Sequence, residues 1–203
     1  EDNQEEKANL RRLTRANQQA DGSFKPGGQL PRQRRTLEET TQVSTMWALL
    51  ALPPTEGDKQ NAKARKKALQ FLATDLKPES TEWLVARYLL DKQLGEGELA
   101  RQRSEAILAA QNDDGGWGWL IGEASDAFGT GAALYALSRA GGEQNSAAIG
   151  RAQRFLTSTQ GEDGAWQVPG TKTSAKGKPT DTATYWGTAW AVIGLCESEP
   201  APK

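Results

Sequence analysis

The spacing of apolar residues predicts two kinds of helix along this chain. Residues 61–72 and 146–159 carry a single apolar stripe among Lys, Arg, Gln and Ser, which is typical of helices with one face in solvent. Residues 45–52 and 188–195 are apolar on nearly every side, which is typical of helices inside a protein. Gly, Asp and Pro fall between these stretches, so the pattern predicts an all-α fold in which outer and inner helices alternate.

A short motif recurs between outer and inner helices. The pattern Gln-x-x-Asp-Gly-x-aromatic occurs with identical offsets at residues 18–24, 111–117 and 160–166. Gly supplies the positive φ of a tight turn, and Asp accepts hydrogen bonds from the backbone of that turn. The Gln amide offers both donors and an acceptor, so we expect it to tie the end of one helix to the next helix.

A second recurring stretch follows each turn and begins with a threonine. Its four copies start at Thr45, Thr81, Thr130 and Thr188. In the second unit the turn motif is lost, because Leu76 and Ser80 stand where its Gln and Gly would be. The four units span about 5–55, 56–94, 95–142 and 143–196. We therefore expect one domain over residues 1–196 and a tail or linker over 197–203.

Units of this kind cannot bury both of their faces alone, so they stack on their neighbours. The predicted fold is an α/α toroid-like arc of four helical hairpins, with an inner and an outer layer of helices. Long loops at 25–40 and 167–184 each join a turn to an inner helix. We expect both loops on the same side of the arc.

The complete repeat, Arg-Ala-x-x-Phe-Leu-x-x-x-Gln-x-x-Asp-Gly-x-Trp at residues 151–166, resembles the QW repeat of squalene-hopene cyclases and oxidosqualene cyclases. Protein prenyltransferase β subunits share the same α/α-toroid fold within the terpenoid cyclase superfamily. The resemblance covers nearly the whole chain and implies the toroid fold. Complete rings in that family contain more than four hairpins, so the resemblance implies an open arc here unless a partner or further helices close it.

The resemblance to the cyclases also implies an acid motif, Asp-x-Asp-Asp-Thr-Ala, which this chain lacks. The nearest string, Thr-Asp-Thr-Ala at residues 180–183, keeps one carboxylate, that of Asp181. An isolated Asp at a helix start is favoured as an N-cap. Asp181 is therefore a weak candidate for a catalytic acid, and no other catalytic residue is assigned.

The composition excludes several kinds of chemistry. With no His and a single Cys, the chain has no His-dependent nucleophilic catalysis, no His-ligated zinc and no internal disulfide, and no metal or cofactor is predicted. Cys196 is expected to be a small core residue. The net charge of -1 gives no indication of nucleic-acid binding, and no apolar run is long enough to span a membrane. We expect a soluble chain of unknown compartment, an extracytoplasmic domain being one possibility.

Aromatic residues of the inner helices are the candidate ligand-binding residues. Trp47, Trp83 and Trp190 share one position of the repeat and are expected to recur along the concave layer. They are candidates for lining a groove for an isoprenoid, a lipid tail or an apolar peptide, and packing between the layers is the alternative. The full candidate set is Trp47, Trp83, Tyr135, Tyr185, Trp186 and Trp190.

Basic residues of the two long loops are candidates for a lip that attracts anionic head groups or an acidic partner. No acidic residue lies between positions 22 and 37 or between 167 and 180. Solvated loop charge is the alternative. The predicted basic lip comprises Arg32, Arg34, Arg35, Lys172, Lys176 and Lys178.

These observations predict a non-catalytic, squalene cyclase-like repeat domain that binds a protein subunit or an isoprenoid or lipid in a larger assembly. The alternative is a terpene cyclase or isomerase whose acid comes from a missing segment or a partner chain. A carbohydrate-active toroid with paired carboxylates is a third possibility, for which no pair stands out in the sequence.

Overall fold

Eight α-helices make up most of the described part of the chain. The structure is a computed structural model that describes residues 3–27, 33–74, 76–140 and 143–199. The helices are α1 (Gln4–Ala16), α2 (Leu37–Ala51), α3 (Lys59–Phe71), α4 (Thr81–Leu94), α5 (Gly97–Ala109), α6 (Ala127–Ala140), α7 (Glu143–Thr159) and α8 (Asp181–Ser198). Within the described ranges, β-structure is limited to isolated bridges between loops, and the all-α prediction is confirmed.

The helices form an inner and an outer layer. α2, α4 and α6 carry most of the large buried side chains, whereas α1, α3, α5 and α7 keep a polar face in solvent. α8 packs on α6 through small buried residues and exposes Val192 and Ile193, so the expectation that residues 188–195 are buried on nearly every side is wrong. Each outer helix is followed by an inner one, which gives the predicted toroid-like arc of four hairpins. No helix of the described chain is both long and apolar enough to cross a bilayer.

Neighbouring inner helices run in the same direction, as the contacts between α2 and α4 show. The Glu39 carboxylate accepts a hydrogen bond from Ser80 N at 3.0 Å, close to the start of both helices. One turn further on, Gln42 Oε1 accepts from Trp83 Nε1 at 2.9 Å. The two helices therefore start at the same level.

The same parallel order continues through α6 and α8. Thr81, at the start of α4, donates from its hydroxyl to Gly118 O in the segment before α6, at 2.7 Å. Lys92, near the end of α4, donates to the backbone oxygen of Arg139, near the end of α6. α8 then packs so closely on α6 that a Cβ added to Gly194 would lie 2.5 Å from Gly131 O.

All four inner helices consequently begin at one end of the arc, and each begins at a polar cap. Thr36, Ser80 and Thr180 accept a hydrogen bond through the side-chain oxygen from a backbone N–H of the first turn, and Asp126 does the same for α6. These caps satisfy donors that the first turn of a helix leaves without an intrahelical partner.

The Gln of the recurring turn ties two consecutive outer helices together. Gln18 Nε2 donates to Gly22 O at 3.0 Å within its own turn and to Ala64 O of α3 at 2.8 Å. Gln111 repeats the arrangement, with its second bond at 3.0 Å to Ala148 O of α7. The predicted tie between one helix and the next is confirmed at these two turns.

The glycine of the turn is required by both its backbone angle and its neighbour. Gly22 and Gly115 have φ of 94° and 89°, a region that favours glycine. A Cβ on Gly22 would lie 2.3 Å from Lys67 O, and a Cβ on Gly115 would lie 2.8 Å from the Arg151 Cβ. The following outer helix therefore rests directly on the turn.

The recurring threonine connects each turn to its inner helix. The hydroxyl oxygens of Thr45, Thr130 and Thr188 accept from the backbone N–H groups of Phe24, Trp117 and Trp166 at 2.9, 2.9 and 3.2 Å. The turn aromatics are buried, and both tryptophans donate from Nε1 to a carbonyl of the preceding outer helix. One short motif thus fixes an outer helix, a turn and an inner helix relative to one another.

The first and last units of the arc are bridged at the end where the inner helices begin. Gln33 and Lys172 form an isolated β-bridge, and Arg34 N donates to Thr171 O at 2.9 Å. The two long loops therefore lie on the same side, as expected. Their contact also differs from the expectation of an open arc, because the chain's own loops join its two ends.

Two local expectations change in the structure. Cys196 is exposed rather than buried, because it lies on the side of α8 that faces away from α6. α8 continues to Ser198 and so extends into the segment predicted as a tail. The limits of the single domain remain a prediction.

The close contact of α6 with α8 predicts that Gly131 tolerates no side chain. In Gly131→Ala the new Cβ would lie 2.4 Å from the carbonyl carbon of Trp190, so we expect the free energy of unfolding to fall by about 2 kcal/mol or more. Gly150→Ala in α7 is the matched control, since its Cβ would meet only the Arg154 guanidinium at 3.6 Å. There we expect a gain of up to about 1 kcal/mol from helix propensity. Urea denaturation measures both, and equal losses in the two variants would contradict the prediction.

Candidate functional site

A cavity of about 710 Å³ lies at the end of the arc where the inner helices begin. All four inner helices contribute to its wall, together with the loops that precede α2, α6 and α8. Its lining comprises Gln33, Trp47, Glu82, Trp119, Phe128, Val168, Gly170, Thr171, Lys172, Ser174, Ala175, Thr180, Thr182, Ala183, Trp186 and Trp190. One site therefore combines aromatic residues of the inner layer with a long polar loop.

An aromatic cluster centred on Trp190 forms the apolar part of the site. The ring centroid of Trp190 lies 5.7 Å from that of Trp47, 5.9 Å from that of Tyr135 and 6.3 Å from that of Phe128. Tilted and edge-on pairs at these separations are favourable in addition to the area that they bury. The cluster joins α2 to α8 across the concave side of the arc.

The loop before α8 supplies most of the polar lining. Its two arms pair through hydrogen bonds from Gly170 N to Lys178 O at 2.9 Å and from Thr180 N to Val168 O at 3.4 Å. The loop and the first turn of α8 place one cationic and four hydroxyl residues in the lining of the cavity. These are Lys172 and Thr171, Ser174, Thr180 and Thr182.

A buried ion pair lies behind the cavity between the first two units. Arg35 Nη1 is 2.9 Å from Glu82 Oε2, and the Arg35 side chain is 1% exposed. Glu82 Oε1 also accepts from Trp47 Nε1 at 3.2 Å. The Arg35 guanidinium lies 5.2 Å from the centroid of the Trp119 ring, within the range of a cation–π contact. The charge of the cavity-lining carboxylate is therefore compensated within the wall.

Glu39 continues this network beneath Arg35. It is fully buried and accepts from Glu79 N at 2.6 Å and Ser80 N at 3.0 Å, and from the Ser80 hydroxyl at a short distance. Burial raises the pKa of the Glu39 carboxyl, while these hydrogen bonds and the charge of Arg35 act in the opposite direction. Since both of its oxygens serve the start of α4, Glu39 has a structural role.

Asp126 holds the cavity wall together at the start of α6. Its Oδ1 accepts from Gly129 N at 2.8 Å, and its Oδ2 accepts from Trp119 N at 2.7 Å. Desolvation raises the pKa of Asp126 to about 6, in opposition to the hydrogen bonds from the backbone. Asp126 thereby fixes the position of Trp119, which lines the cavity.

Three of the six candidate aromatic residues line the cavity, and the other three lie elsewhere. Trp47, Trp186 and Trp190 line the cavity, and Tyr135 packs against Trp190 outside the lining. Trp83 is a correction: it is 4% exposed in the core, and its Nε1 donates to Gln42.

Tyr185 also lies outside the cavity lining. It is 69% exposed on α8, next to the cavity-lining Trp186, which is 53% exposed. The two rings contact each other edge-on with centroids 5.8 Å apart. The two neighbours therefore differ in their access to the cavity, although both are exposed.

The predicted basic lip is divided in the same way. Arg34 is a correction, because it forms a two-pronged ion pair with Glu123 at 2.6 and 2.8 Å. Arg35 is a second correction, because it is buried against Glu82. Both acidic partners come from other units of the chain, Glu123 from the third and Glu82 from the second. Arg32 lies outside the described residues.

The lysines of the long loop remain near the cavity. Lys172 lines it, whereas Lys176 and Lys178 are exposed on the same loop and do not belong to the lining. Lys172 is thus the one member of the predicted lip that the structure assigns to the wall among the described residues.

Asp181 is not the predicted helix cap. Thr180 caps α8 by accepting from Ala183 N at 3.3 Å, and Asp181 is exposed in the first turn of that helix. Thr180 lines the cavity, and Asp181 does not. In the described part of the chain, no three His, Cys, Asp or Glu residues come together in a way that could hold a metal ion.

Several cavity residues were not identified from the sequence. Trp119, Phe128 and Glu82 line the cavity but stand outside the recurring motifs. Asp126, which supports the wall, caps α6 with a carboxylate, whereas the other inner helices are capped by Thr or Ser. The sequence feature that could have identified Trp119 is its position two residues after the turn aromatic Trp117.

Comparison with known proteins supports the fold. No family model matches the chain. Residues of this chain are 41% identical over 71 positions to drimenyl diphosphate synthase from Streptantibioticus cattleyicolor, a stretch that covers 35% of this chain and 13% of that protein. The likeness is to a terpene synthase and agrees with a terpenoid cyclase-like helical fold.

A solved structure shows the same architecture. A possible member of the GH105 family from Salmonella enterica serovar Paratyphi A superposes with a TM-score of 0.58 at 14% identity. The match covers 78% of this chain and 55% of that one. At this identity the likeness shows the α/α toroid fold alone.

The raised pKa of Asp126 predicts a pH dependence of stability. Because the folded-state pKa of about 6 lies above the ordinary value of 3.8, the contribution of Asp126 to stability is full below that ordinary value. It is lost as the pH rises through about 6. We expect the unfolding free energy of the wild type, relative to Asp126→Asn, to fall by up to about 3 kcal/mol between pH 4 and 7. Urea titrations at both pH values measure it, and a difference that does not change with pH would contradict the raised pKa.

Proposed function

We propose that this chain is a non-catalytic domain that binds an apolar ligand, an isoprenoid or a lipid tail, in the cavity at the start of the inner helices. The observation that carries the proposal is the aromatic cluster of Trp47, Phe128 and Trp190 in the wall of a cavity of about 710 Å³. Cavities of roughly 300–1,000 Å³ with mainly apolar walls and a few polar groups are typical of small-molecule sites.

The state of the nearby carboxylates supports binding rather than acid catalysis. Glu82 is held by Arg35 and by the indole N–H of Trp47. Both oxygens of Asp126 accept from backbone N–H groups. A carboxyl group that donates a proton to an apolar substrate must face that substrate. Glu82 lines the cavity but is paired with Arg35, and Asp126 does not belong to the lining.

The similarity to drimenyl diphosphate synthase favours a terpenoid as the class of ligand, although it covers 35% of the chain. The same similarity supports the alternative hypothesis of an enzyme, a terpene cyclase or isomerase whose acid comes from a segment or partner beyond this chain. Incubation with the ligand separates the two hypotheses: a binding domain returns the ligand unchanged, and an enzyme converts it.

A second candidate function is binding of a protein subunit through α8. Tyr185, Val192 and Ile193 are 69, 48 and 44% exposed on this helix and lie outside the cavity lining. Native mass spectrometry of the protein from its source tests this directly. A retained subunit without a small molecule would favour the protein partner, and a retained isoprenoid or lipid would favour the cavity.

Substitution of two adjacent aromatics tests the proposed cavity ligand. We expect Trp186→Ala to weaken binding of farnesol about tenfold or more, because Trp186 lines the cavity. Tyr185→Ala is the matched control, since Tyr185 is also exposed and aromatic but does not line the cavity. Isothermal titration calorimetry measures the affinities, and circular dichroism checks that both variants stay folded.

The control decides the interpretation of this experiment. A loss of affinity confined to Trp186→Ala supports the cavity as the binding site. Equal losses in the two variants would place farnesol on the outside of α8, and an absence of farnesol binding by the wild type would contradict the proposed function.

A further inference from the structure

We propose that the third turn of the arc and the exposed side of α8 form a docking site for a helical hairpin of a second protein, whose first helix contains the segment Ala-x-x-Lys/Arg-Ala. The inference rests on the second candidate function, protein binding through α8, and specifies the chemistry of the partner. Three features carry it. The third turn holds no helix of the described chain, the other two turns show which helix such a turn holds, and α8 exposes an apolar stripe.

The three turns share one backbone conformation but differ in what lies on them. Gly22, Gly115 and Gly164 all have positive φ, at 94°, 89° and 81°. The first two are buried, and a Cβ on them would lie 2.3 and 2.8 Å from the nearest atom of the following outer helix. Gly164 is exposed, and within the described chain an added Cβ would meet only the Gln160 amide, at 3.9 Å. The third turn therefore keeps the surface that seats a helix, with no described helix on it.

The glutamine of the third turn also has a donor to spare. A side-chain amide nitrogen carries two N–H groups. Gln18 Nε2 and Gln111 Nε2 use both, one within the turn and one on a carbonyl of the next outer helix. Gln160 Nε2 makes the bond within its turn, to Gly164 O at 2.9 Å, and the residue is exposed. None of the described helices supplies a carbonyl for its second N–H, which is left for a partner.

The two occupied turns show which helix fits. Their glutamines donate to Ala64 O in one case and to Ala148 O in the other. Each of these alanines is the first residue of an Ala-x-x-Lys/Arg-Ala segment. The basic residue of the segment packs on the turn glycine, and in the second case Arg151 also donates from its guanidinium to Gln111 Oε1. A helix with this segment can make the same contacts with the third turn.

α8 offers an apolar side to the second helix of such a hairpin. Its exposed residues at helical spacing are Tyr185, Val192, Ile193 and Cys196. This stripe lies on the opposite side of α8 from Gly194, which packs on α6. Within the chain, the inner helix of the last hairpin packs in this way on the inner helix before it. An inner-type helix that follows a docked outer helix would therefore cover the stripe.

The sequence favours a different protein as the source of the hairpin, over a second copy or a direct continuation of this chain. In α1, Glu6 and Leu10 stand at the repeat positions of the two alanines, so the first outer helix of a second copy lacks the segment. The outer helices that carry it, α3 and α7, already lie on turns of their own chain. After α8 the sequence continues Glu-Pro-Ala-Pro-Lys, and proline cannot adopt the positive φ that Gly95 has between α4 and α5.

A synthetic hairpin tests the docking site on the whole chain. The probe is a peptide with the sequence of residues 141–198, which contains one such segment and an inner-type helix. We expect it to bind the chain and to gain helix on binding, because a single repeat unit buries its faces only against a neighbour. We expect Gly164→Ala to weaken binding about tenfold or more, since a Cβ at the equivalent Gly22 or Gly115 would collide with the helix on that turn. Isothermal titration calorimetry measures the affinity, and circular dichroism measures the helix content.

Matched controls separate this contact from general effects of the substitutions. Gly57→Ala also replaces a glycine of positive φ, 76°, with no atom within 4 Å of the new Cβ, so we expect unchanged affinity. In the peptide, Arg151→Glu removes the donor to the turn glutamine, and we expect about tenfold weaker binding. Arg154→Glu makes the same change in charge at an exposed position of the same helix, and we expect the affinity to stay within about twofold.

A fusion provides a second measurement that needs no association step. Residues 141–198 joined after Ser198 continue in register, because Ser198 follows Thr188 at the same distance at which Ala140 follows Thr130. We expect the added unit to fold and to raise the temperature of unfolding, and we expect Gly164→Ala to remove that gain. Circular dichroism during heating measures both effects.

The outcomes separate this inference from the functions proposed above. Peptide binding that Gly164→Ala weakens and Gly57→Ala does not supports the inference. Equal affinity in Gly164→Ala, or a fused unit that stays unfolded, would overturn the docking site, and folding of the fused unit without peptide binding would overturn a second protein as the source. A native subunit that Val192→Glu releases but Gly164→Ala retains would overturn the turn contact and leave protein binding by α8. A native subunit that neither variant releases would contradict protein binding by α8 itself, and farnesol binding tests the cavity independently.

Discussion

The contact between a turn glutamine and the carbonyl of the next outer helix is the interaction on which this architecture depends. Gln18 and Gln111 each donate one hydrogen bond within their own turn and a second one to a backbone oxygen of the next outer helix. These acceptors are Ala64 O and Ala148 O. They lie three residues before Lys67 and Arg151, which pack against the turn glycines. A carbonyl inside a helix has a second lone pair available, so the amide adds a bond without disturbing the helix. Because the glycine of the turn leaves no room for a side chain, the next outer helix must lie directly against the turn. Between the first and second units and between the third and fourth, the spacing is therefore set by short-range sterics and one hydrogen bond. The third turn keeps the bond within the turn, from Gln160 Nε2 to Gly164 O, but no outer helix of the described chain packs on it: a Cβ on Gly164 would meet only the Gln160 amide at 3.9 Å.

The outer layer in turn fixes where the inner helices begin, and this creates the site. A threonine in α2, α6 and α8 accepts from the turn aromatic, so the starts of these inner helices stay level with the turns. In α4 the corresponding Thr81 instead donates to Gly118 O in the segment before α6. Parallel inner helices then present their caps, the loops before them and their first turns at one end. The glycines of α6 and α8 let these two helices approach closely, and the ring of Trp190 reaches that of Trp47. The apolar part of the cavity is thus a consequence of the close helix contact.

Sequence reasoning identified the features that are local and repeated. The turn, its glycine, the threonines and the order of helices all depend on residues within one unit or the next, so identical offsets were enough to predict them.

The shared repeat position of Trp47, Trp83 and Trp190 was misleading because equal position in a repeat does not give equal surroundings along a finite arc. Trp83 lies in the second unit, where Gln42 accepts from its indole and Arg103 covers its ring. Trp47 and Trp190 belong to the end units and meet across the concave side. The pairing of Arg34 with Glu123 and of Arg35 with Glu82 joins different units, and no offset within a repeat could predict it.

These ion pairs also explain how basic loops can border an apolar cavity. A guanidinium that is paired with a carboxylate and covers an indole ring contributes rigidity and packing, while its charge is compensated over a short distance. Arg35 has this role for Trp119, and Glu82 uses its remaining oxygen to hold the indole of Trp47. Two of the tryptophans in the wall are therefore positioned by charged groups whose fields largely cancel at the cavity. Glu82 therefore has two partners in the wall, the Arg35 guanidinium and the Trp47 indole, and its replacement by a neutral residue would leave the buried cation of Arg35 without this carboxylate. The charged groups beside the cavity thus hold two of its tryptophans in position, Arg35 against the ring of Trp119 and Glu82 at the indole of Trp47.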